Sequence, residues 1–305
     1  MKTIRIATRG SLLAVRQSQL VADAIRARHP GLAVELVPLV TRGDRRRGPL
    51  APVGGKGLFT RELEEALRAG RVHVAVHSAK DLPAAMDPDF AIVAVPPRED
   101  ARDAIVSRYG GLDELPRGAT VGTGSLRRRA QLLAVRDDLN VAAVRGNIET
   151  RVKKALAPSA ELDAVVLAMA GLKRSGLAEQ HGGLVHPLEA ADFIPAAGQG
   201  TLAVQVLASE TALAELVAPL DDTPAHQALL AERGVLRELG ADCRSCVAVH
   251  VAPRERGWHG WAMVARPDGS DMVRLSAEAP SAATVADGLL TSLRQRGADD
   301  VLRGR

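Results

Sequence analysis

The chain has two cysteines, Cys243 and Cys246, set two residues apart in "GADCRSCVAVH", with His250 and His259 following. Three chemistries use such residues. A four-ligand zinc site would draw on Cys243, Cys246, His250 and His259, but the second half lacks the spacing of a zinc finger. A thioredoxin-like pair opens a helix directly after a strand, whereas here a β-rich run follows the cysteines. The third reading is one functional thiol, and local sequence does not choose between Cys243 and Cys246. No metal site is expected.

Arginines form the second constellation. Six of the forty basic residues are lysine and the rest arginine, the side chain that grips carboxylates and phosphates with two parallel hydrogen bonds. In "GTGSLRRRAQLL" (122–133), Arg127, Arg128 and Arg129 fall in the first turn of a predicted helix. Cations there oppose the helix dipole. A bound anion would remove the conflict, because backbone N–H groups and guanidinium groups would then point at one negative charge. Arg9 and Ser11 stand at the equivalent place in "ATRGSLLAVRQSQL" (7–20), and "VRGNIETR" adds Arg145 and Arg151. The competing reading is a solvated basic face.

A third candidate is "HSAKDLP" (77–83), where Lys80 and Asp81 directly follow a strand. Asp81 is either a turn residue before Pro83 or a carboxylate that handles protons or stabilises a cation in the arginine cleft. His73 and His77 alternate with valines and read as structural. Two Gly-rich stretches fail the nucleotide patterns. "PVGGKGLFTRE" (52–62) has no Ser or Thr after Lys56 and reads as a mobile flap, and "GTGSLR" (122–127) is not G-x-G-x-x-G.

The elements that must position these residues alternate. Strands are expected at 4–8, 33–40 and 72–77, with helices at 11–30 and 57–70; Ser11 is the N-cap of the first and Gly70 the stop of the second. "VAVPPRED" (93–100) reads as a hinge. A second unit repeats the plan, with strands at 104–107, 119–123, 140–144 and 163–169 and helices from Ser125 and around 147–156. "FIPAAGQGTLAVQV" (193–206) reads as a crossing back into the first domain. Beyond 218 come a helix (225–239), a hairpin turning at Asp268-Gly269, and a last helix at 281–296. The fold class is therefore α/β, with two similar domains about a cleft and a small α+β C-terminal domain. The expected division is 1–96 with 196–214, then 99–193, then 218–305.

Composition narrows the partners. The 305 residues are 46% apolar and 25% charged, with a formal charge of +4, ordinary for a globular protein large enough for two or three domains. Aromatic residues are 2% of the chain, so stacking platforms for nucleic acid are nearly absent. No nucleic-acid or membrane partner is expected. The longest apolar run, "AVVLAMAGL" (164–172), is far short of a membrane span. The start "MKTIRIATRG" is too charged for a secretory signal, which points to the cytoplasm and reduced thiols.

Nine segments together carry a resemblance. "ATRGS", "VTRGD", "GGKGLF", "AVHSAKDLP", "EDARDA", "VGTGSLRRRAQL", "VRGNIETR", "AMAGLKR" and "PAAGQG" occur in the order found in the porphobilinogen deaminase, or hydroxymethylbilane synthase, family. The chain resembles that family from about residue 4 to 250, most densely up to 200. The resemblance implies a cytoplasmic, monomeric transferase of tetrapyrrole and haem biosynthesis. It would join four porphobilinogen molecules head to tail, releasing ammonia, on a dipyrromethane cofactor held by a cysteine thioether.

It also implies two domains like those of periplasmic binding proteins and a third bearing the cysteine. Asp81 matches the catalytic aspartate, near which a positively charged azafulvene forms once ammonia leaves. Lys80, Asp81, Thr123, Ser125, Arg127, Arg128 and Arg151 match cofactor-binding positions. Arg9, Ser11, Arg145, Arg151 and Arg174 match substrate-binding ones. Counted from Glu232-Arg233, Cys243 matches the cofactor anchor and Cys246 takes the place of a usual proline. The chain departs from the family pattern at Ala241, Asp242 and Cys246, and Gly124 replaces a usual serine. The alternative is an α/β protein that binds a carboxylate ligand without chemistry, which leaves Cys243 without a role.

Overall fold

The computed structural model describes residues 2–41, 60–241 and 245–304. The basic segment from 42, "GGKGLF" and Cys243 lie outside the described residues. The chain divides into two units, one of residues 1–98 and 201–226, the other of 99–200 and 227–305.

In the first unit β1 (Thr3–Arg9), α1 (Leu12–Arg28), β2 (Ala33–Leu39), α2 (Arg61–Arg68), β3 (Val74–Ser78) and β4 (Phe90–Ala94) follow in order. After the excursion through the other unit, β10 (Leu202–Leu207) and α7 (Thr211–Val217) complete it. The sheet order is β2-β1-β3-β10-β4. The first three strands are parallel and β10 runs against both β3 and β4. Both faces are covered, which is why these strands read as continuous apolar runs. Ile4, Ile6, Val74 and Val204 pack on Val21 and Ile25 of α1, while Ala7 and Ala75 meet Leu63, Ala66 and Leu67 of α2 on the other side. The sequence did not signal β4, because "FAIVA" runs straight into the proline pair that reads as a hinge.

The second unit builds its sheet on the same plan. It contains β5 (Asp103–Ser107), β6 (Thr120–Gly122), α3 (Leu126–Val135), β7 (Asn140–Ala142), α4 (Ile148–Leu156) and β8 (Ala164–Ala168). The short helices α5 (Met169–Arg174) and α6 (Leu177–His181) and strand β9 (Val185–Pro187) follow. The order is β7-β6-β8-β5-β9, with β6, β7 and β8 parallel and β5 antiparallel to β8. The short echo between "ATRGSLL" and "GTGSLRR" is thus a repeat of topology. Each stretch ends the first strand of a parallel β-α-β and starts its helix with a serine cap.

Helix α8 (Thr223–Glu238) leads into a three-stranded antiparallel meander of β11 (Val247–Pro253), β12 (Trp258–Val264) and β13 (Val273–Ala279). One face packs Val249, Val251, Ala262 and Val264 on Val285, Leu289 and Leu293 of α9 (Ala282–Gln295). The other face sets Ala248 and Met263 against Ala130 of α3 and Ile194. The β12–β13 connection turns at Asp268-Gly269 as expected, with Gly269 at φ 86°. A last short helix, α10 (Ala298–Arg303), closes the described chain. No helix among the described residues is long and apolar enough to cross a membrane.

Candidate active site

Sequence-predicted residues come together at the C-terminal edge of the first sheet. Arg9 ends β1, and Ser11 caps α1, its hydroxyl accepting the Ala14 N–H at 3.3 Å. Beside it β3 ends at Ser78 and passes into a single 3₁₀ turn, Ala79–Asp81. The Ala79 N–H donates to the Thr201 carbonyl at 3.0 Å, which ties that turn to the start of β10. Arg9, Ser11, Gln17, His77, Ser78 and Asp81 line one small cavity of about 70 Å³. Lys80 lies in the same turn, half-buried, and is not among the lining residues. Carboxyl ends of parallel strands are where α/β sheets present ligand-binding groups.

The two histidines of the β3 region differ. His73 is structural, its Nδ1 accepting the Arg5 N–H at 2.9 Å. His77 is buried but reaches the cavity, with Nε2 2.8 Å from the Gln205 side-chain oxygen. Desolvation pushes its pKa down to about 4, and the Arg9 charge adds to the shift.

In the second unit the arginines at the start of α3 are not a solvated face. Arg127 and Arg128 are 5% and 7% exposed, and both pair with the fully buried Asp103 of β5. Arg127 Nη2 lies 2.8 Å from Asp103 Oδ2, and Arg128 donates from Nε and Nη2 to Oδ1 at 3.0 and 2.7 Å. Their remaining bonds go to backbone, Arg127 to the Ile194 carbonyl at 2.6 Å and Arg128 to that of Val166 at 2.9 Å. Gln199 adds a donor to Asp103 Oδ1 at 2.9 Å and another to the Ala101 carbonyl. The conflict between first-turn cations and the helix dipole is therefore met inside the protein, by a carboxylate from a neighbouring strand. Two guanidinium groups share that carboxylate, and burial lowers the pKa of Arg127.

The other predicted residues of this unit line up along the strand ends. Ser125 caps α3, accepting the Arg128 N–H at 3.4 Å, and Thr123 Oγ1 accepts the Ser125 N–H at 3.2 Å. Arg129 is tied to the Val141 carbonyl of β7. Arg145 is exposed just past β7, and Arg151 folds back from α4 to the Gly146 carbonyl at 2.9 Å. Arg174 donates to the Gly200 carbonyl at 2.7 Å, and burial lowers its pKa.

Of the cysteine pair, Cys246 is a packed core thiol. It is 4% exposed among Ala130, Ile194, Ala248 and Met263, and burial pushes its pKa up to about 11. The two histidines considered with the cysteines sit on the meander. His259 stacks on Trp261 at 4.0 Å between ring centroids, and His250 at 5.8 Å. His250 also lies 3.4 Å from the buried Glu232, whose carboxylate accepts the Gly198 and Val251 N–H groups.

The profile described as porphobilinogen deaminase, dipyromethane cofactor binding domain, matches residues 4–215. The chain belongs to the porphobilinogen deaminase family. A relative named porphobilinogen deaminase from Syntrophotalea carbinolica is 43% identical over 303 residues, covering 98% of this chain and 95% of its own. One of the same name from Laribacter hongkongensis is 42% identical over 306 residues, 99% of this chain and 98% of its own. One from Roseiflexus castenholzii is 43% identical over 306 residues, 99% of each.

Sequence reasoning missed Asp103, Gln199, Gln17 and the pocket position of His77. Asp103 and Gln199 did stand inside the motifs "EDARDA" and "PAAGQG". Nothing in a linear reading bonds Gln199 to Asp103, 96 positions away, beside the guanidinium pair.

Proposed function

We propose that the chain joins four porphobilinogen molecules head to tail with release of ammonia, giving hydroxymethylbilane, on a dipyrromethane bound to Cys243 through a thioether. The observation that carries this reading is the near full-length similarity to relatives named porphobilinogen deaminase. The donor set fits such a group. A dipyrromethane of this origin carries several carboxylates, and the buried cluster of Arg127, Arg128 and Asp103 holds two positive charges against one negative. When bound, the dipyrromethane supplies the free pyrrole α-carbon to which substrate is joined.

This chain's own residues do the rest. Arg127 and Arg128, held rigid by Asp103, attract carboxylates to the start of α3. Thr123, Ser125, Arg151 and Lys80 complete the set that holds the cofactor. Arg9, Ser11, Arg145, Arg151 and Arg174 hold the acetate and propionate of substrate by charge-assisted hydrogen bonds. Asp81 stabilises the positive charge that develops on the substrate nitrogen as ammonia leaves, and takes or returns the N–H proton. Cys243 is the anchor because sulfur adds readily to such an electrophile. Cys246, buried and protonated, stays out of the chemistry. We further take the chain to work as a cytoplasmic monomer of three domains, divided near 1–96 with 196–214, 99–193 and 218–305.

Intact mass under denaturing conditions, followed by peptide mapping, tests this. A dipyrromethane adduct on Cys243 is expected. An adduct on Cys246 would move the anchor. A protein that stays unmodified after incubation with porphobilinogen would end the reading in favour of a non-catalytic carboxylate binder.

A further inference from the structure

His77 carries a hydrogen-bonding capacity that the roles above leave unused. It pairs across the sheet with Ala203 of β10, and Gln205, two residues along on the same face, meets its ring. Gln205 is fully buried, and its side-chain nitrogen donates to Glu64 of α2 at 3.3 Å. A carboxylate accepts only, so Gln205 must turn its nitrogen to Glu64 and its oxygen to His77. That oxygen also accepts only, so His77 must carry its hydrogen on Nε2. Nδ1 keeps a lone pair. Among the described residues no protein donor is bonded to it, and the ring lines the cavity that holds Asp81. The charged groups around the ring are Arg9, Asp81 and Glu64. Burial keeps the ring neutral, its pKa being pushed down to about 4.

Of the cavity's other polar groups, the Thr60 hydroxyl is buried without a hydrogen-bond partner among the described residues, and several others are already bonded or carry charge. The Ser11 hydroxyl accepts the Ala14 N–H, and the Ser78 hydroxyl accepts from Gln17 at 3.3 Å. Arg9 only donates, and Asp81 is an anion when ionised. His77 Nδ1 is a neutral acceptor beside the Asp81 carboxylate, with the Thr60 hydroxyl on the same cavity wall. A ligand with carboxylates and a neutral ring N–H, which porphobilinogen has, offers a group for each: carboxylate for Arg9, ring N–H for His77.

We propose that His77 is a substrate-binding residue, its Nδ1 accepting an N–H of the bound pyrrole, with Gln205 and Glu64 as positioning residues that fix its tautomer. The inference rests on the function proposed above. Two substitutions separate binding from a merely structural role. The Asn side-chain oxygen reaches as far as Nδ1, and the Gln amide as far as Nε2. His77→Asn therefore keeps an acceptor toward the cavity, and His77→Gln keeps only the link to Gln205.

With porphobilinogen as substrate, His77→Gln should raise KM about tenfold, as for a lost hydrogen bond in a buried site. His77→Asn should raise KM less than His77→Gln does, and both should retain the Cys243 adduct. The reverse order, or an unchanged KM in both, would overturn the proposal. The second measurement needs no variant. Two-bond proton–nitrogen spectra of the histidine-labelled wild-type holoenzyme should show His77 protonated at Nε2 from mildly acidic to neutral pH. A hydrogen on Nδ1 would overturn it as well. Wild-type protein that neither carries the adduct nor consumes porphobilinogen ends the functional reading, and the inference with it. Wild-type protein that does both leaves the inference to stand or fall on the variants and the tautomer.

Discussion

Replacing Asp103 with alanine removes the one carboxylate shared by Arg127 and Arg128. Three hydrogen bonds to Oδ1 go, from Arg128 Nε, Arg128 Nη2 and Gln199 Nε2, together with the 2.8 Å contact of Oδ2 with Arg127. The two guanidinium groups keep their carbonyl partners but remain within a site whose side chains are 5% and 8% exposed. Breaking a buried pair by deleting one partner costs roughly 3–5 kcal/mol, because a charge is left buried without compensation. At about 2–4 °C per kcal/mol for a unit of this size, the melting temperature should fall by roughly 6–20 °C. Intrinsic fluorescence is the assay. The chain's two tryptophans, Trp258 and Trp261, both lie on β12 of the second unit, so the signal reports the unit that carries the substitution. Burial excludes screening ions, so the loss should be the same at low and high salt. Asp103→Asn, which keeps an acceptor, should fall in between. A loss below about 1 kcal/mol, or one that salt abolishes as it would for a surface pair, would refute the argument that this cluster is buried and mutually dependent.

Four further outcomes are expected. Asp81→Ala should lower kcat by at least about 100-fold, as for loss of a positioned proton-transfer group; its exposed position predicts an unchanged melting temperature, and near-normal product formation would remove Asp81 from the chemistry. For His77 the folded pKa of about 4 lies below the ordinary 6.5, so the unfolded chain binds the extra proton first; its stabilising effect is complete above pH 6.5 and falls by about 1.4 kcal/mol per pH unit from there down to about pH 4, and His77→Gln should flatten that acid limb in urea titrations. Gly200→Ala should destabilise the second unit by at least about 1–3 kcal/mol, since Gly200 has φ 86° and a Cβ there would meet the Glu99 carbonyl oxygen at 2.3 Å; unchanged urea midpoints would count against it. Cys246 should resist iodoacetamide at neutral pH until the protein is unfolded, because its thiol is buried and its pKa raised to about 11; rapid native labelling mapped to Cys246 would contradict the packed assignment.

The sequence by itself determined the local elements and named most of the candidate binding groups. Helix starts at Ser11 and Ser125 were legible because a serine cap before an apolar-periodic run is a local signal, satisfied within three residues. The turn at Asp268-Gly269 was legible for the same reason. The order of the nine motifs reached the family, and with it the proposal of Arg9, Asp81 and Cys243 as site residues. Tertiary structure alone decided what the charges do. Arg127 and Arg128 looked like cations at an exposed helix start until β5 brought Asp103 beside them. His77 looked like a strand residue alternating with valines until β10 and α2 supplied Gln205 and Glu64. In each case the deciding partner comes from another strand, Asp103 lying 25 residues before Arg128 and Gln205 128 after His77. The protonation and direction of a polar side chain follow from what packs against it, and that information appears only when the sheet is assembled.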